Sequence, residues 1–385
     1  MKMVIINGTL LHNGQELQGH SLVLEDGKIA AIVEGEPMGE RVLDAQGGYI
    51  SAGWIELHTH GIAGDDFMDA DPAGVTRALH AYAAHGVTGV YPTTLSAPFA
   101  EIRRALDAMA KADRSGGAAF LGAHLEGPYF APSQRGAQPL EALCTPADEE
   151  YKKLLEEYPF IARMDVAPEL EGSEEMAAYL KERGVLCGIA HTDANADVIE
   201  AGSYPIATHL YSGMSGVHRE QGYRIAGAVE ACLLRDDIYC EAICDGIHLP
   251  ATLLKLIYKV KGVKRMIPVT DSIRGAGLEG ATAFTMGSKE NGYEAIIKDG
   301  VAWIPDFTAF AGSIATYDRL IRTLVGVGIP LADAVRMASE TPAKAMGLKK
   351  KGRLAPGYDA DITVFDENIE ILFTVVNGEV VYKRE

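Results

Sequence analysis

Residues 51–60 read SAGWIELHTH, an apolar run that stops at two histidines one residue apart. Side chains alternate between the faces of an extended strand, so His58 and His60 point one way and Thr59 the other. Two imidazoles on one face at a strand end can grip a divalent metal. They can equally be surface histidines at a loop entry, and the spacing alone does not separate the two readings. Further ligand-type residues recur at comparable places. Glu126 closes AAFLGAHLE, His191 lies in GVLCGIAHT, His209 in YPIATHL, His248 just past IYCEAICDG, and Asp271 ends RMIPVTD. Singly, each has a bland explanation; Asp271 before Ser272, for instance, could be a helix N-cap. Together they form a His/carboxylate set suited to zinc or another borderline divalent ion. Such an ion lowers the pKa of a bound water towards ~7 and polarises a carbonyl. A carboxylate such as Asp271 can then take the water's proton and hand it to a leaving amine. The chemistry indicated is hydrolysis of an amide, ester or related carbonyl. No thiolate cluster or cofactor fingerprint points to oxidation.

The elements that must hold these residues alternate. Eight apolar strand candidates (54–57, 86–94, 118–126, 161–169, 184–192, 204–210, 238–246 and 265–271) are separated by amphipathic helix candidates in nearly every gap. The gap at 194–203 has room for a turn or two of helix. Eight strands in such alternation predict a (β/α)8 barrel, whose functional residues sit at the carboxyl ends of the strands. A doubly wound sheet is disfavoured, since no Gly-rich phosphate turn follows the first strand. Residues 277–305 are expected to form a β-like excursion over the barrel mouth, followed by two helices, SIATYDRLIRTLVG and LADAVRMASETPAKAMG. Short strands with Asn-Gly, Asp-Gly and Gly-Gly turns fill both ends of the chain. Neither end can bury a core alone. Residues 1–50 and 351–385 are therefore expected to join as one small β-sandwich beside a catalytic barrel over 51–350.

The 385 residues are 48% hydrophobic and carry a formal net charge of −18, which argues against nucleic acid or an anionic membrane as partner. No apolar stretch approaches the ~18 residues of a membrane-spanning helix, and the N-terminal run is too short for a signal peptide. The five cysteines form no CxxC pair, so a reducing cytoplasm is the expected location. Asp65, Asp66 and Asp69 are expected to be loop and cap residues, and Lys349–Lys351 a solvated linker run.

Over essentially its whole length the chain resembles the amidohydrolase superfamily, and within it the N-acetylglucosamine-6-phosphate deacetylases. The segments that carry the likeness include HTHGIAGDDFMD (58–69), HLEGPYFAPSQRGA (124–137), IAHTDAN (189–195), ATHLYSGM (207–214), HREQG (218–222), CDGIHL (244–249) and VTDSIRGAGLEG (269–280). The resemblance implies that Glu126, His191 and His209 hold the metal common to the family. His58, His60 and Asp271 would complete a second site, giving one or two ions per subunit, zinc being the expected metal. It further implies Asp271 as general acid/base and His248 as a contact to the sugar or its phosphate. Arg219 would reach the phosphate in the neighbouring subunit of a homodimer. Three positions depart from the pattern. Gln138 stands where the family usually has a histidine that helps polarise the acetyl carbonyl. Ser212-Gly213 replaces Asn-Ala, leaving backbone N–H groups for the phosphate, and Gln221 replaces a proline. The implied reaction is deacetylation of N-acetylglucosamine 6-phosphate. These departures keep N-acetylgalactosamine 6-phosphate or an unphosphorylated N-acyl compound open as substrate. A non-catalytic scaffold is disfavoured, because all six ligand-type residues are present.

Overall fold

The computed structural model describes residues 2–385. Eight strands, β1 (Trp54–Thr59), β2 (Val87–Thr94), β3 (Ala123–Leu125), β4 (Ile161–Val166), β5 (Leu186–Ile189), β6 (Ile206–Ala207), β7 (Tyr239–Ile243) and β8 (Met266–Val269), pair in parallel in chain order. The ring closes just past the last strand. Asp271 N–H donates to His58 C=O at 3.0 Å and His60 N–H donates to Ser272 C=O at 2.8 Å. The third candidate strand is split, because Gly122 adopts φ 145° and separates Ala119–Phe120 from β3. The helix after β1, Pro72–Ala84, shows how locally the crossovers are specified. Asp71 accepts from Ala73 N–H as N-cap, Pro72 occupies the first turn, and Val75, Ala78, Leu79 and Tyr82 form the buried stripe. The gap after β5 holds a helix of six residues, Ala196–Ala201.

The chain ends meet as expected of a sandwich. One sheet comprises Lys28–Glu34, His20–Glu25, Lys2–Ile6 and Arg41–Asp44. The other runs Glu379–Lys383, Ile371–Val376, Ile362–Phe365, Tyr49–Ala52, Thr9–His12 and Gln15–Leu17. The antiparallel pairing of Ile362–Phe365 with Tyr49–Ala52 ties the two ends together, over a core that includes Ile5, Leu22, Ile50, Ile362 and Val375. Lys351 is not solvated. Its ammonium pairs with Asp361 at 2.6 Å and Asp359 at 3.1 Å, because the chain turns here into the sandwich.

Residues 283–303 form a three-stranded antiparallel flap, Ala283–Met286, Tyr293–Lys298 and Val301–Trp303. Arg274, 4% exposed, holds it down: its guanidinium donates to Thr285 C=O at 2.5 Å and to both Asp69 oxygens at 2.9 and 3.0 Å. Asp66 caps the short helix Phe67–Asp69, and Asp65 pairs with Arg77. The expected final helix is two, Leu331–Ala338 and Glu340–Ala345. The break falls at Ser339, three residues before Pro342, whose ring has no N–H to continue the ladder. No helix among the described residues is long and apolar enough to cross a membrane.

Candidate active site

The lower part of the barrel interior is apolar, with Ile55, Leu57, Tyr91, Ile243, Ile267 and Val269 in one cluster. Above it lies a fully buried charged layer. Arg163, from β4, donates from Nε to Asp165 at 2.9 Å and from Nη2 to Glu241 at 3.1 Å and to Thr208 Oγ1 at 2.7 Å. Asp165 also pairs with His124 Nε2 at 2.8 Å. Burial and the charge of Arg163 push His124 down to about 4, so its ring is neutral. Glu241 is held at about 2: burial opposes its charge, but Arg163 and His58 outweigh it.

This layer supports a cluster of imidazoles. His58 and His60 leave β1 on one face, their Nε2 atoms 3.3 Å apart. Glu126 follows β3 and sends Oε1 to His191 Nε2 (3.1 Å) and His209 Nε2 (2.9 Å), and Oε2 to His60 Nε2 (3.2 Å). Asp271 Oδ1 lies 3.4 Å from His58 Nε2 and 3.2 Å from His60 Nε2. Three of these residues sit in the left-handed region, His191 at φ 44°, His209 at 27° and Asp271 at 47°. Strain of that kind persists where the surroundings over-determine it and is common at functional sites. Here it turns side chains inward just past the strand ends.

The tautomers follow from the outer partners. His191 Nδ1 lies 2.8 Å from Gln134 C=O and His60 Nδ1 3.3 Å from Thr93 C=O. A carbonyl only accepts, so both Nδ1 atoms carry the proton and both Nε2 lone pairs face inward. His58 Nδ1 lies 3.5 Å from Glu241, and His209 Nδ1 is buried without a hydrogen-bond partner. Four Nε2 atoms converging on two carboxylates form a donor set suited to a cation. Two overlapping groups, His58/His60/Asp271 and His58/Glu126/His209, bring ligand atoms close enough to share one. Ligand bonds near 2.1 Å give tetrahedral edges of about 3.4 Å, in the range of the separations observed. The residues therefore fit a divalent ion. Without it, His60 is lifted to about 9, because the contacts with Asp271 and Glu126 outweigh the burial that disfavours its charge. Asp271 is held down at about 2 by the neighbouring His58 and His60, against the effect of burial, and is ionised at neutral pH.

A cavity of about 290 Å³ opens above this cluster. Gln138, Ser212, Gly213 and His248 line it together with Glu126, His191, His209, His60 and Asp271. His248 is oriented by Asp245, whose Oδ2 is 2.8 Å from Nδ1, and packs on Phe310 at 4.7 Å. Gly213 (φ 57°) leaves room that a side chain would fill; a Cβ would meet His191 Nδ1 at 2.6 Å. Arg219 is not brought to this cavity. It stands exposed on a hairpin, His218–Glu220 with Tyr223–Ile225, and no lysine or arginine is among the described lining residues.

Several residues of the site carry no clear mark in the sequence. Asp245 sits inside CDGIHL without a ligand spacing. Arg163 and Glu241 show only as charges inside otherwise apolar strands, a signal of interior pairing without an address. Met286 and Phe310, which line the cavity, come from the flap and from the segment after it.

The amidohydrolase family model matches residues 49–381. The chain is 29% identical to an N-acetylglucosamine-6-phosphate deacetylase of Lysinibacillus sphaericus, over 99% of this chain and 98% of that protein. It is 30% identical to an N-acetylgalactosamine-6-phosphate deacetylase of Escherichia coli O157:H7, over 94% and 95% respectively. The crystal structure of N-acetylglucosamine-6-phosphate deacetylase from Pasteurella multocida superposes with a TM-score of 0.91 at 28% identity, covering 100% of both chains.

Proposed function

The chain belongs to the amidohydrolase family, and from that premise we propose that it is a metal-dependent deacetylase that converts N-acetylglucosamine 6-phosphate to glucosamine 6-phosphate and acetate. The observation that carries the reading is the inward convergence of four imidazole Nε2 atoms on Glu126 and Asp271, under a cavity of about 290 Å³. Glu126, His191 and His209 would hold one ion, and His58, His60 and Asp271 would hold a second where two are bound. The nitrogen/oxygen donor set favours zinc. When bound, the ion polarises the acetyl carbonyl and lowers the pKa of a water beside it.

The chain's own groups supply the rest. Asp271, ionised and at the cavity floor, takes the attacking water's proton and delivers it to the departing amine nitrogen. His248, its Nδ1 fixed by Asp245, presents Nε2 to the sugar or its phosphate. The Ser212 N–H already donates to His209 C=O at 2.9 Å, which leaves the Gly213 N–H to a phosphate oxygen, and Gln138 offers an N–H to the acyl oxygen. The charge that balances the phosphate comes from Arg219 of a second copy in a homodimer, which fits an exposed hairpin and a cavity with no lysine or arginine among its described lining residues. Five free cysteines accord with a reducing cytoplasm.

A second reading, N-acetylgalactosamine 6-phosphate as substrate, is favoured by the equal likeness to a deacetylase of that sugar. Acetate release from both sugar phosphates and from unphosphorylated N-acetylglucosamine, by zinc-loaded protein, separates the readings. The glucosamine phosphate is expected to turn over fastest, with activity lost on chelation. No release from any of the three would sink the deacetylase assignment. The shared site has its own check. Arg219→Ala protein mixed with Asp271→Asn protein is expected to recover activity that neither has alone, and a mixture as inactive as its parts would refute the exchange of Arg219 between subunits.

A further inference from the structure

We propose that Gln138, beyond any contact with substrate, is a positioning residue of the metal centre: it fixes the rotation of the Glu126 carboxylate, and so decides which oxygen faces which histidines. The inference rests on the metal-dependent reading above. Gln138 is 3% exposed. Ser96 N–H donates to its Oε1 at 2.9 Å, and its Nε2 donates to Glu126 Oε2 at 2.8 Å. The amide orientation is not free to invert. A backbone N–H can only donate, so the atom facing Ser96 is the oxygen, and the NH2 group must face the carboxylate.

The anchor points are themselves held. Ser96 lies two residues past the end of β2, and Gln138 lies in the loop after β3. In that loop Arg135 donates to Gln138 C=O at 3.1 Å and the Gln138 N–H donates to Arg135 C=O at 2.9 Å. Tyr293 of the flap donates to the neighbouring Ala137 C=O. The amide thus bridges two barrel loops and delivers one N–H to one oxygen.

The consequence lies in the division of the carboxylate. Each of its oxygens accepts about two partners. Oε2 accepts from Gln138 and has its other direction open towards His60 Nε2, while Oε1 faces His191 and His209 Nε2. With Gln138 on one side of Oε2, the remaining direction points to His60, and Oε1 is committed to the His191/His209 pair. A glutamate without this partner is free to turn about its terminal torsion and share both oxygens with one ligand group. The other N–H of Nε2 stays available to an acyl oxygen, so both tasks can fall to one amide.

Gln138→Met keeps the length of the side chain and removes both polar ends. Zinc affinity of the metal-free full chain, measured against a chromophoric chelator, is expected to fall roughly ten- to a hundredfold, the usual cost of losing a partner that orients a ligand. The visible spectrum of the cobalt-loaded variant is expected to shift. Gln138→His, which retains an N–H donor, is expected to bind zinc close to wild type, and Gln138→Leu carries the same test should Gln138→Met fail to fold. Wild-type zinc affinity and an unchanged cobalt spectrum in the apolar variant, with only KM raised, would overturn the proposal and leave Gln138 as a substrate contact. Neither metal measurement uses substrate, so a failed deacetylase assay defeats the function while leaving this test intact.

Discussion

Asp271→Asn is expected to lower kcat for acetate release by roughly 10²–10⁴-fold, the usual worth of a positioned general acid/base, while KM stays near the wild-type value. Asparagine matches the volume of aspartate and keeps an oxygen towards His58 and His60, but it can neither accept nor return the proton. It is also a residue that tolerates the left-handed backbone at this position, φ 47°, so the loop after β8 should not move. The nearby imidazoles hold Asp271 ionised, which is the state a base requires. Metal content, measured on the same preparation, distinguishes lost chemistry from a lost ion. A variant that keeps its metal and still turns over within tenfold of wild type would show that another group carries the proton.

The second large effect is on stability. Arg163→Met is expected to destabilise the fold by about 3–5 kcal/mol, the cost of removing one partner from a buried ionic group. The arginine is fully buried, and its removal leaves Asp165 and Glu241 without the cation that neutralises them, with only His124 and Thr208, and His58 and the His209 N–H, as remaining partners. Methionine fills much of the volume, so the loss reports the charges and not a cavity. The pH dependence gives the mechanism a second signature. Glu241 is depressed from 4.5 to about 2 in the folded protein, and Asp165 is also depressed, both by Arg163 against the effect of burial. A carboxyl depressed on folding adds stability above its unfolded pKa and loses it as pH falls through the folded value. The wild type therefore holds this contribution fully at neutral pH and loses it between about 4.5 and 2. In the variant the stranded carboxyls take up protons, so its deficit is greatest near pH 7 and narrows on acidification. Denaturant unfolding at pH 7 and pH 5 measures both. A variant as stable as wild type, or a deficit that widens in acid, would contradict the account. Because Glu241 lies 3.5 Å from His58 and accepts from His209 N–H, metal affinity is expected to fall with stability.

Much of this molecule was already written along the chain. Alternation of apolar runs with amphipathic stripes gave the eight strands and their crossovers, because burial on both faces of a parallel strand leaves a continuous apolar run. The period of two placed His58 and His60 on one face, and the strand ends singled out Glu126, His191, His209 and Asp271 as candidates. Local rules also have limits that show here. A single periodic stretch at 331–347 hid the break before Pro342, and nothing in HREQG marked the β-hairpin in which it lies. Lys351, one of three lysines in a row, found two aspartates that only the returning sandwich strand supplies.

Periodicity says which way a side chain points; it does not say what stands opposite. What makes His58 and His60 candidate ligands is their meeting with Glu126, His209 and Asp271, which closure of the barrel brings to them across up to 213 residues. The pairing of Arg163 with Glu241, 78 residues away, turns two improbable charges inside strands into one neutralised layer. Gln138 is the sharpest case. The sequence determined the residue type within the third loop, but Ser96 on one side and Glu126 on the other determined which way its amide faces. Partner and orientation at a buried polar group are set by hydrogen bonds between segments remote in the chain, and those exist only once the barrel has closed.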